Sequence, residues 1–413
     1  MSHSILFMTF GQSNADCHDA GPAYDVPVFD DPRIVLPNDG FGFRGTIGRT
    51  TTQPIDGFVP SYGFNPKVQS SGVAAAARYL NALSSATPDD MPTQVIVRSA
   101  AKGGRPFIGY LKDDREIAGI FKAHTGAYSQ IFQNLLTEIK EIAAVTRAQG
   151  APLRHVFLPF FHGEADRATD RDVYTSVATE MMDIVDQTVH ALGITSHWLL
   201  TQPSGTAPTH GGNAWANRMS VLEIATQRPN AHFASANYAL TLADAAHLSA
   251  ESKVIAGELI GLTAARIVTG QTDQNRPVLV QDITATGNEI TVTFDTDVPL
   301  ALDQSAFPSP KMNFGFQVAQ QAPDFVTDAT VIDGTTLRLT CAGPVPVGVT
   351  LNYAFASQKR QDPGKDVIYP FGRGCLREMN SLSSCILEDK SLKRWVPAFS
   401  VPIQEAVTLA RAA

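Results

Sequence analysis

Cysteine is scarce in this chain: four residues in 413. Cys17, Cys341, Cys375 and Cys385 lack the paired spacing of zinc or iron–sulfur ligand sets. They read as free thiols of a reducing compartment, and only Cys375 and Cys385 leave open a small disulfide-closed loop. A basic excess is also missing. Lys and Arg number 32 against 40 Asp and Glu, a net charge of −8, and the pI is near 5.7. Nucleic acid and anionic membranes select basic surfaces, so neither is expected as the main partner. No apolar run reaches the ~20 residues of a membrane-spanning helix. The first apolar run, Ile5 to Phe10, is too short for a signal peptide and lacks a basic flank. The expected location is the cytoplasm, or a particle such as a virion that carries the protein out.

What is present is an ordinary globular composition, 44% hydrophobic and 17% charged, in a chain longer than one typical domain. Two domains are the default expectation. The informative stretch is Ser4 to Asn14, where an apolar run stops at Gly11 and Gln12-Ser13-Asn14 follows. An apolar run of that length predicts a buried strand of a parallel sheet. Ser13 would then stand at the carboxyl edge, where open α/β sheets hold their ligands.

A serine nucleophile needs a base, a group that orients the base, and donors for an oxyanion. Each has a candidate after a strand-like run. Gly103-Gly104 follows Gln94 to Arg98, His162-Gly163-Glu164-Ala165-Asp166 follows Leu153 to Phe161, and Asp244-Ala245-Ala246-His247 comes after Ala231 to Asn237. Helices are predicted over Val73–Leu83, Tyr128–Arg147, Asp172–Leu192, Ala214–Thr226 and Glu251–Thr269, so strands and helices alternate. Glu164 and Asp166 lie two residues apart on one loop, which does not fit carboxylates that flank a glycosidic bond.

These blocks resemble those of the SGNH hydrolases, closest to the sialate O-acetylesterase-like and acetylxylan-esterase-like branch. The resemblance spans roughly the first two thirds of the chain. It implies a three-layer α/β/α domain over residues 1–270 with a parallel sheet of about five strands. It also implies Ser13 as nucleophile, His247 as base, and Asp244 as the group orienting His247. The oxyanion would meet the amides of Ser13 and of Gly103 or Gly104. Two positions depart from the pattern. The second block usually reads G-G-T-S, whereas Arg105-Pro106 follows the glycines here. The third usually reads Q-G-E-x-D, and His162 stands in place of Gln; an imidazole N–H can also donate, so His162 is expected as an oxyanion donor. Gln12, Asn14, Glu164 and Asp166 would hold the loops. The implied substrate is an acetylated glycan, cleaved without a metal or organic cofactor. The competing reading is a structural or host-recognition component that keeps the fold to bind glycans.

Between these blocks, residues 15 to 70 read as a long irregular excursion over the catalytic edge. Its aromatics Phe41, Phe43, Tyr62 and Phe64 suit either sugar stacking or loop anchoring. His210 falls on another loop at that edge and reads as solvated, and Cys17 reads as a neighbour of the site. Beyond the polar stretch Gln271 to Arg276 the apolar period becomes two, and Gly287-Asn288 and Asp333-Gly334 mark turns. A small β-sandwich is expected over residues 277–360. Residues 361–413 read as an irregular tail that docks on the esterase domain or on another subunit, with a final helix over Ile403–Arg411. A homo-oligomer or larger assembly stays open.

Overall fold

The computed structural model describes residues 2–15, 31–40, 42, 54–61, 71–203, 216–242, 247–304, 314–322, 324–355 and 374–405. Cys17, Phe41, Phe43, Tyr62, Phe64, His210 and Asp244 lie outside these residues.

The first part alternates strands and helices. In chain order these are β1 (Ser4–Gly11), β2 (Ile34–Pro37), β3 (Phe58–Pro60), α1 (Ser71–Ala86), β4 (Gln94–Ala101), β5 (Tyr110–Lys112), β6 (Arg115–Ile117), α2 (Gln130–Ala148), β7 (Leu153–Phe161), α3 (Arg171–Ala191), β8 (Thr195–Gln202), α4 (Asn217–Gln227), β9 (Ala231–Ala236) and α5 (Ala250–Val268). One seven-stranded sheet runs β3-β2-β4-β1-β7-β8-β9. All its pairings are parallel except β2 with β3.

The pleat of β1 explains its uninterrupted apolar sequence. Leu6, Met8 and Phe10 enter the core beneath α2 and α3, and Ile5 and Phe7 enter the core beneath α1 and α5. Covered on both faces, such a strand has no polar side. Helices α1 and α5 pack very closely, because a Cβ on Gly257 would stand 2.3 Å from Ser71 O and one on Gly261 would stand 2.1 Å from Ala75 O.

The excursion over residues 15–70 is more regular than expected, since β2 and β3 extend the sheet. The cause is tertiary. Buried Arg98 of β4 gives Nε–H to Glu138 of α2 at 2.9 Å, and Nη1–H to Asp39 at 2.7 Å and to Gly40 O at 2.9 Å. A buried guanidinium needs its partners, and this one fixes the segment just after β2.

After α5 and a short 3-10 turn at Thr272–Asn275, the regular elements of the described chain are strands: β10 (Leu279–Thr286), β11 (Glu289–Asp295), β12 (Leu300–Leu302), β13 (Phe316–Val318), β14 (Val326–Val331), β15 (Thr336–Cys341), β16 (Thr350–Tyr353), β17 (Leu376–Ser383), β18 (Ser391–Trp395), β19 (Phe399–Pro402) and β20 (Gln404–Glu405). They form a five-stranded sheet, β14-β15-β11-β10-β20, and two three-stranded sheets, β12-β17-β18 and β13-β16-β19. This corrects the expected irregular tail: β17 to β20 complete sheets that begin before residue 360. Residues 404–405, placed in a final helix by the sequence reading, are strand. The core of this part also takes in Phe233 and Ala236 of β9 and Tyr238 just beyond it. Cys341, Cys375 and Cys385 are free thiols, and burial raises them to about 11, 12 and 12.

Candidate active site

Register brings three of the motifs together. Gly11 at the end of β1 pairs with Ala101 at the end of β4 and with Phe161 at the end of β7. Gln12-Ser13-Asn14, Lys102-Gly103-Gly104 and His162-Gly163-Glu164 therefore leave the sheet side by side. Gly11 is required here. Its φ is +144°, and a Cβ would lie 2.0 Å from Phe161 O, so any larger residue would push the turn that carries Ser13 away from the third block.

The turn itself is clamped from both sides of Ser13, which is 9% exposed. Gln12 donates Nε2–H to Glu164 Oε2, while its Oε1 accepts Ala165 N–H at 3.1 Å. Asn14 donates Nδ2–H to Glu164 Oε1 at 3.0 Å, and its Oδ1 accepts Leu248 N–H at 3.0 Å. The last bond places His247, the residue before Leu248, beside the serine turn. Lys102 N–H to Gly11 O at 3.2 Å and Ser99 Oγ–H to Ala15 O at 2.7 Å bind the same turn to β4 and its loop. Gln12, Asn14, Glu164 and the backbone of Ala165 and Leu248 thus form one hydrogen-bonded network around the Ser13 turn.

Glu164 is the electrostatic centre of that network. Burial raises its carboxyl to about 7, against the lowering effect of its hydrogen bonds and of Arg218. Arg218 at the start of α4 is itself fully buried, and loss of solvent lowers it to about 10. It donates to Pro203 O at 3.1 Å and to Ala354 O of the all-strand part at 3.4 Å. Its neighbour Asn217 gives Nδ2–H to Gly163 O at 2.5 Å. Neither residue belongs to the sequence motifs described above. The available signal was two adjacent polar residues opening a helix that follows the Gly- and Thr-containing loop.

His162 sits among protein partners at the end of β7. Its side chain is wholly buried, with Phe107 against it at 4.2 Å between ring centroids. Nε2 faces two acceptors, Arg105 O at 3.2 Å and Asp166 Oδ2 at 3.4 Å, while Nδ1 lies 3.1 Å from Tyr174 OH. Burial lowers the ring below the usual histidine value, with Asp166 acting in the opposite direction. A neutral ring has one N–H, and it belongs on Nε2, between those two acceptors. An N–H there ties the third block to the loop of Gly103 and Gly104. Asp166 tightens the same tie by accepting Phe107 N–H at 3.0 Å and Thr169 Oγ1–H at 3.0 Å. Gly104 itself, with φ +68° and open space where a Cβ would be, leaves the backbone accessible. Among the described residues no His, Cys, Asp and Glu cluster has metal-binding geometry.

No protein-family model matches the chain, and no curated protein matches it either. Solved structures do. The fold is shared with the structure of a carbohydrate acetylesterase, at low sequence identity. The chain is similar to XAC1771, a carbohydrate acetylesterase from Xanthomonas citri, with a TM-score of 0.55 and 15% identity over 85% of this chain and 75% of that one. That share is larger than residues 1–270 can supply, so the likeness extends into the all-strand part. Weaker likenesses are to an Arabidopsis thaliana protein (TM-score 0.43, 14% identity, 65% of this chain and 99% of that one) and to NanS (TM-score 0.42, 14% identity, 65% and 99%).

Proposed function

We propose that the protein is a serine esterase that removes O-acetyl groups from a carbohydrate. The observation that carries this reading is the Glu164 clamp. It holds the residues on both sides of Ser13, and through Asn14 it holds the backbone next to His247. In this mechanism Ser13 Oγ attacks the acetyl carbonyl while His247 takes its proton. Asp244 orients His247 for that transfer. The amides of Ser13 and of Gly103 or Gly104 stabilise the oxyanion, each such donor contributing roughly 3 kcal/mol. His247 then protonates the leaving sugar hydroxyl, and water hydrolyses the acetyl-enzyme with the same groups. The acetylated-carbohydrate substrate is supported by the motif pattern and by the fold shared with a carbohydrate acetylesterase.

The test compares wild type with Ser13→Ala for acetate release from a chromogenic acetyl ester and from acetylated glycans. Release by the wild type alone, at equal melting temperatures, is the expected result. Turnover that persists in Ser13→Ala overturns the assignment of the nucleophile, and folded wild type that releases no acetate overturns the esterase.

A further inference from the structure

A second cavity lies at the other edge of the main sheet. It has a volume of about 540 Å³ and is walled by the start of β9 (Ala231, His232, Phe233), the end of α5, the turn over residues 272–276, and strands β11, β17 and β18. That volume is in the range of small-ligand sites, ~300–1,000 Å³. The strands run in parallel, so their starts and the Ser13 turn sit at opposite ends of the sheet, about 25 Å apart at ~3.3 Å per residue. A ligand here does not reach Ser13.

The charges of this cavity are layered. Inside it Arg394 and Glu378 are joined by contacts of 2.8 and 3.1 Å, with Glu378 only 4% exposed. Beside this pair Arg266 of α5 gives one N–H to Gln274 O at 3.0 Å, and the other N–H groups of its guanidinium have no partner among the described residues. Burial lowers Arg266 to about 10; the like charges of Arg394 and Arg78 push the same way, and the Glu378 carboxylate acts in the opposite direction. The exposed rim is different: it carries Asp273, Asp295 and Asp297, with Arg276 the one cation among these charged rim residues.

We infer that this cavity is a binding site for a saccharide residue carrying a single carboxylate, whose carboxylate pairs with Arg266 while its hydroxyls donate to the rim aspartates. A guanidinium with several unspent N–H groups matches a carboxylate in a two-point contact. Rim carboxylates accept from sugar hydroxyls and repel densely anionic chains, so sulfated polymers and nucleic acid are selected against. The inference stands apart from the esterase reading, because it rests on residues at the opposite edge of the sheet.

The experiment uses the full chain with Ser13→Ala, which removes turnover, and titrates it by calorimetry with four probes: galacturonate, N-acetylneuraminate, maltotriose and a sulfated heparin oligosaccharide. Saturable binding of at least one of the first two is expected. Arg266→Gln should weaken it by about tenfold or more without changing the melting temperature, and Arg266→Lys should recover part of the loss. Failure of both carboxylated saccharides to bind overturns the proposal. So does equal binding of maltotriose, tighter binding of the sulfated probe, or an affinity that Arg266→Gln leaves intact. Turnover of the chromogenic ester by Arg266→Gln in an otherwise native chain should match the wild type. Lack of esterase activity in both proteins would count against the catalytic reading and leave the binding result standing.

Discussion

Replacing Glu164 with Gln separates stability from activity in a way that follows from its surroundings. Gln12 Nε2 and Asn14 Nδ2 both point their N–H groups at the carboxylate. A glutamine offers one oxygen, and its NH2 group faces the other donor. One buried N–H then goes unpaired, a cost of about 1–3 kcal/mol. Against this, the substitution removes a charge that is expensive to bury. The carboxyl rises from 4.5 to about 7 on folding, which corresponds to about 3 kcal/mol at ~1.4 kcal/mol per unit. The sign follows from proton binding. Between pH 4.5 and 7 the folded chain holds this proton more tightly than the unfolded chain does, so the wild type loses stability as pH rises through that window and is flat above it. Glu164→Gln lacks this slope. Denaturant unfolding should show the variant less stable at pH 5, with the gap closing by about 3 kcal/mol at pH 8. At pH 8, where the two chains are nearly matched, acetyl-ester turnover should still be lower in the variant, because the Ser13 turn has lost an anchor. A stability gap that is the same at both pH values would refute the burial of a titrating carboxyl. Full turnover in the variant would refute the clamp.

His162→Phe keeps an aromatic ring against Phe107 and removes the bond to Arg105 O, so the protein should fold and its kcat should fall by well under the ~100-fold that loss of an oxyanion donor brings; a larger drop would return His162 to the donor role. His155 and His197, in contact at 3.2 Å on β7 and β8, are lowered by burial to about 4 and about 3. The unfolded chain binds these protons more readily below pH 6.5, so stability should fall on acidification from 6.5 toward 4, by ~1.4 kcal/mol per pH unit per histidine. These two histidines add no slope above that window. Unfolding curves of His197→Phe should show a shallower acid slope than wild type, and an unchanged slope would place the acid sensitivity elsewhere.

The parts that were legible in the sequence are those set by local pattern. Apolar runs marked the carboxyl ends of β1 at Gly11 and of β7 at Phe161, because a strand covered on both faces has no polar side, whereas β4 runs on past the expected Arg98 to Ala101. What His162 does was not legible. Side-chain identity tells that an imidazole can donate, but the direction of its N–H depends on Arg105 and Tyr174, which the fold brings in from other elements. Strands β2 and β3 are only four and three residues long, too short for a period to show, and the Arg98 ion pairs fix the segment beside them. In β17 the run Met379–Ser383 is exposed, so its alternation is lost after the first residues and the segment reads as irregular.

The same reasoning changes how the all-strand part relates to the catalytic edge. A linker at Gln271–Arg276 implies an appended module with its own core. Instead Phe233 of β9 belongs to that core, and Tyr238 donates its hydroxyl to Val396 O at 2.8 Å. At the end of β8, Gln202 accepts Ala398 N–H at 2.8 Å and donates to Ala398 O at 2.9 Å. Arg218 spans from Pro203 to Ala354 while its charge acts on Glu164. Buried polar groups demand such partners, so removing the strands would leave Gln202 and Arg218 with unpaired atoms just behind the clamp that holds Ser13. The strands beyond residue 279 thus brace Gln202 and Arg218, and through the charge of Arg218 they bear on Glu164.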